Sequence, residues 1–546
     1  MIRATCTLPV LLALTLSAQP AQQQVREEMV PMRDGTKLAT TIILPGGVLP
    51  EGAGKYPAVL TRTPYGKDRM YAAAKQQEWV AAGYARVVQD VRGKFKSEGK
   101  YRAFNDDMLD SYDTIEWIAK QPWSNGKVGM EGPSAMGIIT NLAAMSGAPH
   151  LVCAFVTVGH GSGYRYASHP GGVFLKNMNE EWLKAQGIPM DERPRPTFKD
   201  YGPEDKEVDM RTYASKIKVP MYNFGGWYDI FLQGDIDSYT LLQQDGGPGA
   251  RGNQKLTMGA FGHGPLSGDL KYPPEAGNLA NGSDEMRWFE YWLKGVDNGI
   301  MKDPPVKYFL MGDTMDKSAP GNEWRTATSW PPPSTTTSYY LGAQGKLSTL
   351  LPAAKAMANY VYDPQDPVPS VGGNNLMMAR GPMDQRTVSG RPDVLKFETE
   401  PLASPLEIVG PVKVQLAVST DAPDTDFMVK LVDVYPNGYE ALVLDEAQML
   451  RYRSGLKPEK AEPGKVYPIT VDLWSTALVF NKGHKIAVHV SSSNAPRFEA
   501  HTNTWEAVKS YDLAAKASNT IYLDGRSKLI LPVTKVYKEP AVVAGQ

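Results

Sequence analysis

The stretch between Tyr56 and Gly147 alternates short apolar runs with longer runs of helical spacing. The apolar runs are "YPAVLTRTPYG", "YARVVQDVRG" and "KVGMEGPS", and the helical runs are "AAAKQQEWVAAG", "DSYDTIEWIAKQ" and "AMGIITNLAAMSG". Strands that alternate with helices predict a parallel sheet with helices on both of its faces. The same rhythm returns later in "VPMYNFGGWYDIFLQG" and "KLTMGAFGHG". The sequence therefore predicts an α/β fold for these parts of the chain.

Two other segments divide the chain into domains. In its middle, "GVFLKNMNEEWLKAQG" and "KEVDMRTYASKIK" have helical character, and no strand is expected between them. We predict that residues 150–216 form a helical cap inserted between the two parts of the α/β domain, residues 26–149 and 217–333. After "WPPPSTTT" the patterns alternate between polar and apolar residues, and residues 334–546 are predicted to form an antiparallel β sandwich.

The N-terminus has the features of an export signal. Arg3 precedes the apolar run Leu8–Leu16, which is too short to span a bilayer, and small and polar residues follow it. We predict a signal peptide over residues 1–21 and a secreted or periplasmic protein without membrane contact after signal removal. Cys6 lies inside that signal, so Cys153 is left as a lone thiol that we expect to be buried and inert.

The charge balance excludes one class of partner. The chain has 58 Lys and Arg residues against 59 Asp and Glu residues, which gives a net charge of -1 at pH 7. No basic field is therefore present to hold nucleic acid or an anionic lipid surface.

Ser134 stands where one of the short strands passes into a helix, in "GKVGMEGPSAMGIITNLAA". A strand, the pattern G-x-S-x-x-G and a helix come close to the nucleophile elbow, whose usual form is G-x-S-x-G. Such a turn needs small neighbours for close backbone approach, and Gly132 and Gly137 supply them. The helix N-terminus favours an oxyanion, so the amide of Ala135 is a candidate oxyanion-hole donor.

A serine nucleophile needs a base and an orienting carboxylate, which follow it in the order Asp or Glu, then His. Asp229 comes directly after "VPMYNFGGWY", and His263 comes directly after "LTMGAFG", so both are expected at the carboxyl ends of strands. His160 in "GHGSG" is the main rival base, but it precedes Asp229. Asp235 and Asp237 are rival carboxylates within a helical pattern. A helix N-cap is the alternative role for Asp229.

Tyr65 ends the strand that is expected to neighbour the serine strand. Its hydroxyl has two interpretations that the spacing leaves open. It is either the second oxyanion donor or a loop tyrosine that packs on the cap.

Several segments along the chain resemble the family of cocaine esterases, α-amino acid ester hydrolases and glutaryl-cephalosporin acylases, which is related to X-Pro dipeptidyl-peptidases. The similar segments are "VPMRDGTKLATTIILP", "RTPYGKD", "QDVRGKFKSEG", "YDTIEWIAKQPWSNGKVGMEGPSAMG", "GGWYDIF", "WFEYWLKGVDNG", "TDFMVKLVDVYPNG" and "VDLWSTALVFNKGHKIAVHVSSSNAPRF". The resemblance implies an α/β-hydrolase domain, a helical cap and a C-terminal jelly roll. It further implies a triad of Ser134, Asp229 and His263, with Tyr65 and the Ala135 amide as the oxyanion hole.

The chain departs from this family at two places. The family usually has tyrosine directly after the nucleophile, where this chain has Ala135. The amino acid ester hydrolases have acidic residues just after the triad aspartate, which bind a substrate ammonium group. Phe231 and Leu232 stand there in this chain, and an unpaired buried ammonium is costly. We therefore predict Phe231 and Leu232 as substrate-binding residues for an apolar or aromatic acyl group, as Phe231 has the place of an aromatic acyl-binding residue of cocaine esterases.

The residues and the resemblance together predict a serine hydrolase that cleaves a small-molecule ester or amide through an acyl-enzyme intermediate. No cofactor and no metal are predicted. Two alternatives stay open. One is an acylase or X-Pro-type peptidase acting on amides, and the other is a non-catalytic scaffold, because the β sandwich resembles carbohydrate-binding modules. Homo-oligomerisation also stays open.

Overall fold

The computed structural model describes residues 24–46, 55–71, 74–189, 197–277 and 283–537. The predicted signal peptide, residues 1–21, lies outside the described residues.

A mixed sheet of ten strands forms the centre of the α/β part of the described chain. Its strands are β1 (Gln24–Pro31), β2 (Lys37–Leu44), β3 (Tyr56–Thr63), β4 (Ala85–Asp90), β5 (Ser124–Pro133), β6 (Leu151–Thr157), β7 (Met221–Tyr228), β8 (Lys255–Gly262), β9 (Val306–Leu310) and β10 (Glu323–Ala327). Their order is β1-β2-β4-β3-β5-β6-β7-β8-β9-β10. Within this order, the adjacent strands of the segment β4-β3-β5-β6-β7-β8-β9 are parallel to each other. At the two edges, β1 pairs with β2, β2 with β4 and β10 with β9, all antiparallel. The predicted parallel sheet is thus confirmed for its centre.

Helices cover both faces of this sheet. The helices of the described chain are α1 (Lys67–Tyr71), α2 (Ala74–Ala81), α3 (Asp107–Ala119), α4 (Ala135–Met145), α5 (Lys176–Ala185), α6 (Pro203–Glu207), α7 (Met210–Tyr213), α8 (Leu232–Asp245), α9 (Ser283–Phe289) and α10 (Arg386–Ser389). Side chains of β3 alternate between the faces. Ala58 and Leu60 join a buried cluster with Ile139 of α4, whereas Val59 joins a different cluster with Phe289 of α9. Both faces are therefore buried, as the alternation of elements predicts.

The predicted start of the cap is wrong. Leu151–Thr157 forms strand β6, which pairs in parallel with β5 on one side and with β7 on the other. The run is apolar and buried along most of its length, so it has no alternation that distinguishes a strand from a helix. Cys153 at its centre is fully buried, and burial raises the pKa of its thiol well above the ordinary value. After β6, the described part of the segment up to residue 216 contains helices and turns, among them α5, α6 and α7.

Two antiparallel sheets form the C-terminal part. Their strands are β11 (Thr335–Leu341), β12 (Leu347–Ser348), β13 (Ala356–Tyr362), β14 (Leu395–Glu398), β15 (Leu406–Thr420), β16 (Asp426–Val434), β17 (Glu440–Met449), β18 (Tyr467–Phe480), β19 (Lys485–Ser491), β20 (Ala517–Leu523) and β21 (Lys528–Val536). Among described residues, one sheet has seven strands, ordered β12-β11-β21-β15-β20-β13 with β18 paired to β15, and the other has four, ordered β14-β19-β16-β17. Val414 on β15 and Val429 on β16 belong to one buried cluster, so the two sheets share a core. The jelly-roll class of this sandwich stays a prediction.

A buried ion pair ties β5, the strand that leads to Ser134, to strands β3 and β4. Arg86 on β4 is fully buried, and its Nη2 lies 2.5 Å from Oε1 of Glu131 on β5. Its Nη1 donates to the carbonyl of Val59 on β3 at 2.9 Å. The Thr61 hydroxyl of β3 donates to the same carboxylate oxygen of Glu131. The pair therefore fixes β5 against its neighbours just before the turn at Ser134.

We predict that Glu131→Leu lowers the free energy of unfolding by about 3–5 kcal/mol, because it leaves the Arg86 charge buried without a partner. The measurement is urea denaturation followed by tryptophan fluorescence. The control is the double variant Arg86→Met/Glu131→Leu, which removes both charges and should regain most of the loss. A single variant that is no less stable than the double variant contradicts this account.

Candidate active site

Ser134 occupies a strained turn between β5 and α4. Its backbone has φ 59° and ψ -125°, a region that residues other than glycine rarely adopt. A Cβ added to Gly132 would collide with Met136, and one added to Gly137 would lie 2.9 Å from the carbonyl oxygen of Gly132. The Ser134 amide donates to the carbonyl of Thr157 at the end of β6, at 3.0 Å. The predicted close backbone approach is therefore present at both glycines.

The structure brings the three predicted triad residues together. Asp229 follows β7 and His263 follows β8, and β7 and β8 are adjacent parallel strands. Nε2 of His263 lies 2.8 Å from Oγ of Ser134, and Nδ1 of His263 lies 2.8 Å from Oδ2 of Asp229. The Asp229 side chain is fully buried, whereas that of His263 is 12% exposed.

Burial and the Asp229 carboxylate shift the pKa of His263 in opposite directions. Burial works against its charged form, but the charge of Asp229 and its hydrogen bond outweigh burial, so the pKa of His263 lies above its ordinary value. Oδ1 of Asp229 accepts from the Phe231 amide at 2.8 Å, which leaves Oδ2 for the histidine. Helix α8 begins at Leu232 with Phe231 in the cap position, so the N-cap alternative for Asp229 is wrong.

The rival residues lie in other contacts. His160 sits in the loop after β6, where burial lowers its pKa to about 3, and its ring contacts Phe231 rather than Ser134. Oδ1 of Asp235 accepts from the Gly159 amide at 3.0 Å. Asp237 accepts from the Tyr166 hydroxyl. None of these three is hydrogen-bonded to His263 or Ser134 in the described chain.

Tyr65 contacts the cap, as one of its two interpretations expects, and its role as an oxyanion donor stays a prediction. Its hydroxyl accepts from Nε1 of Trp182 in the cap at 3.1 Å and lies beside the Ser134 side chain. Burial raises the pKa of the Tyr65 hydroxyl, and its interactions with Trp182 and Ser134 offset part of the rise, so the hydroxyl keeps its proton at neutral pH. Ala135 is the first residue of α4, and its amide therefore has no acceptor within the helix. Two donors thus flank Ser134.

A cavity of about 270 Å³ opens beside Ser134. Its apolar lining consists of Ala103, Phe104, Ala135, Ile138, Ala167, Met178, Trp182, Leu183, Val208, Ile230, Phe231 and Leu376. This volume lies just below the usual range for small-molecule sites, which suits a small substituent rather than a large ligand. A larger cavity of about 550 Å³ lies between the cap and the β sandwich, but no triad residue lines it.

The two predicted substrate-binding residues have different positions. Phe231 lines the cavity, and its ring stands edge-on to that of His263 with centroids 5.7 Å apart. The prediction for Leu232 is wrong, because its side chain is fully buried in a core cluster with Trp227 and Ile236. Leu232 opens helix α8, and the first helical turn carries its side chain away from the cavity and into that core.

Three charged cap residues that the sequence analysis did not single out also line the cavity. They are Lys199, Glu204 and Asp205. Nζ of Lys199 lies 2.5 Å from Oδ1 of Asp205, so these two charges balance, whereas Glu204 has no ion-pair partner among the described residues. An ammonium group would therefore meet no counter-charge beside Phe231, but it would meet the Glu204 carboxylate along this wall. The cluster "GPEDKE" at the start of α6 is the sequence signal that points to it.

The β sandwich supports the triad from behind. Nδ2 of Asn374 donates to the carbonyl of Asp229 at 2.7 Å, and Nη1 of Arg380 donates to the carbonyl of His263 at 2.5 Å. Both residues belong to the long connection between β13 and β14. No local pattern marks these contacts, because more than a hundred residues separate each pair.

No group of His, Cys, Asp and Glu side chains in the described ranges is arranged to hold a metal ion. Within the same ranges, no helix combines the length and the apolar character needed to cross a membrane.

Two family models match the chain. The model for X-Pro dipeptidyl-peptidase (S15 family) matches residues 34–202, and the model for the X-Pro dipeptidyl-peptidase C-terminal non-catalytic domain matches residues 298–530. The first match includes Ser134, and the second includes most of the β sandwich.

Known proteins match the chain over nearly its whole length. The cocaine esterase of Rhodococcus sp. (strain MB1 Bresler) is 31% identical over 580 residues, which cover 93% of this chain and 98% of that protein. The structure of an α-amino acid ester hydrolase matches with a TM-score of 0.77 and 27% identity, over 96% of this chain and 100% of that one. An aminopeptidase from the marine sediment archaeon Thaumarchaeota archaeon shares the fold, with a TM-score of 0.77 and 24% identity over 96% and 99% of the two chains. These similarities confirm the predicted resemblance and fold class.

We predict that Asp229→Asn moves the pKa of His263 from above its ordinary value to below it. The substitution removes the negative charge that favours the imidazolium, and burial then dominates. The measurement is the pH titration of the histidine ring signals by NMR, with His263→Gln to assign the signal. Asp235→Asn is the matched control. Burial raises the pKa of the Asp235 carboxyl group well above its ordinary value, so this substitution removes no negative charge at neutral pH. An unchanged His263 titration in Asp229→Asn contradicts the assignment.

Proposed function

Since the chain belongs to the S15 family of serine hydrolases, which act on esters or amides, we propose that Ser134, His263 and Asp229 are its catalytic triad. One observation carries this proposal. The two hydrogen bonds of 2.8 Å run from Ser134 through both nitrogens of His263 to a fully buried carboxylate. The three residues come from three separate strand ends, so their alignment is not a consequence of local sequence.

In the proposed reaction, Oγ of Ser134 attacks the carbonyl carbon of the substrate. Nε2 of His263 takes the hydroxyl proton, and Asp229 stabilises the imidazolium through Nδ1–H. The raised pKa of His263 favours that charged state. The imidazolium then protonates the leaving group as the carbonyl–leaving-group bond breaks. A water molecule attacks the acyl-enzyme, with His263 again accepting the proton, and Ser134 leaves with its hydrogen restored.

Tyr65 and Ala135 are proposed as the oxyanion hole. The Ala135 amide lies at the N-terminus of α4, where the helix dipole favours negative charge. The Tyr65 hydroxyl already interacts with Ser134 and is held by Trp182, so it donates to the oxyanion without rearrangement. Each such donor is typically worth about 100-fold or more in rate.

An apolar or aromatic acyl group is the substrate feature that the cavity supports. Its walls are mostly apolar, and Phe231 presents its ring beside His263. Ala135 lines the same cavity, so the small side chain at this position leaves room for the acyl group. An acylase or peptidase is the second candidate, because the triad can act on an amide as well. Turnover of p-nitrophenyl benzoate against N-benzoyl-p-nitroaniline separates the two, since both carry the same acyl group.

We propose that the protein acts outside the cytoplasm. Arg3 and the apolar run Leu8–Leu16 support an export signal.

The size of the cavity beside Ser134 supports a small molecule as the substrate.

We predict that Ser134→Ala abolishes turnover of p-nitrophenyl esters and labelling by a fluorophosphonate probe, because the attacking oxygen is lost. Tyr65→Phe should retain labelling but lower kcat/KM by about 100-fold, because one oxyanion donor is lost. Thermal unfolding of both variants shows whether the fold is intact. Full turnover in a folded Ser134→Ala variant contradicts the triad. An unlabelled wild-type protein favours the non-catalytic scaffold instead.

We also predict that Ala135→Tyr reduces the acyl size that the enzyme accepts. The added ring occupies part of the cavity, so kcat/KM for a 2-naphthoyl ester should fall by about 10-fold or more while that for an acetyl ester changes by less than about 3-fold. The measurement is hydrolysis of p-nitrophenyl esters graded by acyl size. Ala135→Ser, which adds little volume, is the control. An equal loss on both esters means that the substitution acts on the oxyanion hole rather than on the cavity.

A further inference from the structure

Arg380 is a cation of the β sandwich that lies against the loop of the proposed base. Its Nη1 donates to the carbonyl of His263 at 2.5 Å, and its Nη2 donates to the carbonyl of Leu376 at 2.8 Å. Leu376 belongs to the same connection between β13 and β14, and it lines the cavity beside Ser134. One guanidinium group therefore joins the histidine loop to a residue of the cavity wall.

The histidine loop packs closely around this side chain. A Cβ added to Gly262 would lie 2.9 Å from Cδ of Arg380, and one added to Gly264 would lie 3.0 Å from its Nη1. Gly264 has φ 141°, a conformation that favours glycine. The Ser267 amide donates to the Arg380 carbonyl at 2.8 Å, and the Arg380 amide donates to Oγ of Ser267 at 3.3 Å. The arginine thus contacts the loop on both sides of His263, with its side chain and its main chain.

The charge of Arg380 is not neutralised by an ion pair. No carboxylate of the described residues lies within ion-pair distance of its guanidinium group, whose two acceptors are main-chain carbonyls. Burial lowers the pKa of Arg380, and the nearby charge of Asp229 raises it. The guanidinium group therefore brings an unpaired positive charge to the proposed catalytic centre.

A hydrogen bond to a loop carbonyl does not require a cation. Asn374 makes the equivalent contact with the carbonyl of Asp229 at 2.7 Å, and its side chain is an uncharged amide. The same connection thus supplies a neutral donor beside the carboxylate and a charged donor beside the histidine. The position of the charge points to a role beyond the hydrogen bond.

The groups that face the His263 ring act on it in opposite directions. Oδ2 of Asp229 lies at Nδ1, the Ser134 hydroxyl lies at Nε2, and the Phe231 ring stands edge-on. Burial lowers the pKa of His263, the charge and the hydrogen bond of Asp229 raise it, and the charge of Arg380 lowers it. A general base starts from its neutral form, so a ring that the carboxylate held protonated would be a poor base near neutral pH.

We propose that Arg380 is a positioning residue that acts through His263. Its hydrogen bonds hold the histidine loop against the β sandwich, and its charge favours the neutral imidazole that takes the proton of Ser134. The inference rests on the proposed function, because it requires His263 to be the general base. It gives the β sandwich an electrostatic part in catalysis, although none of the proposed triad residues lies in that domain.

The first experiment compares the pH dependence of kcat/KM for p-nitrophenyl acetate in the wild type and in Arg380→Met. The acid limb of this profile reports the protonation of the base in the free enzyme. We expect the limb to move to higher pH in the variant, because the charge that opposes the imidazolium is removed. A purely structural contact would instead lower kcat/KM by the same factor at every pH. An acid limb that stays in place overturns the inference.

Two further substitutions separate the charge from the hydrogen bond. Arg380→Lys keeps the charge and a donor, so we expect its acid limb to stay near that of the wild type. Arg380→Gln keeps a donor without the charge, so its limb should move in the same direction as that of Arg380→Met. A limb that moves as far in Arg380→Lys as in Arg380→Met overturns the inference.

Arg391→Met is the matched control. Arg391 lies in the same connection, but its Nε donates to Asp393 at 2.8 Å and its Nη2 lies 3.1 Å from Asp366. The substitution changes the net charge of the chain by the same amount, and we expect the acid limb to stay in place. An equal movement in Arg391→Met would make the effect one of net charge and would overturn the inference.

An NMR titration covers the case in which Arg380→Met does not fold. In the Ser134→Ala protein, the midpoint of the His263 ring signal should move to higher pH when Arg380→Gln is added, and an unchanged midpoint overturns the inference. A wild-type protein that hydrolyses no p-nitrophenyl ester overturns the proposed function itself. An active wild type whose acid limb does not move in Arg380→Met or Arg380→Gln overturns this inference alone.

Discussion

The turn at Ser134 is the constraint on which the active site depends. A serine at φ 59° is in a conformation that typically costs about 1–3 kcal/mol, so the surrounding structure must hold it. The Arg86–Glu131 pair fixes β5 before the turn, and α4 packs in the core after it. Gly132 and Gly137 remove the Cβ atoms that would block the approach of strand and helix. The result is one hydroxyl presented at a sheet edge, above a helix N-terminus and beside the ends of β7 and β8.

The β sandwich contacts the proposed catalytic centre directly. Asn374 and Arg380 donate to the main chain of Asp229 and His263, so they hold the two loops that carry the base and its carboxylate. Leu376, from the same connection, lines the cavity beside Ser134. A domain that carries none of the proposed triad residues thus contacts the loops of two of them and contributes one residue to the cavity wall.

Local patterns in the sequence were sufficient for the parallel sheet, the glycine turn at Ser134 and the strand ends that carry Asp229 and His263. They failed where the information is not local. Strand β6 has a uniformly apolar sequence, and the orientation of Leu232 depends on how the first turn of α8 meets the core. The contacts of Asn374 and Arg380 join residues far apart in the chain, and the Lys199–Asp205 pair reaches the cavity only through the fold of the cap.

The two histidines on either side of Phe231 show how environment divides one residue type between two roles. Both rings are largely buried, and burial acts against a charge on each. His263 has Asp229 as a partner, which outweighs burial and suits a ring that gains and loses a proton during catalysis. His160 has no carboxylate in hydrogen-bond contact among the described residues, and burial lowers the pKa of its ring to about 3. The ring beside Ser134 is therefore the one whose environment favours a proton, as the proposed mechanism requires.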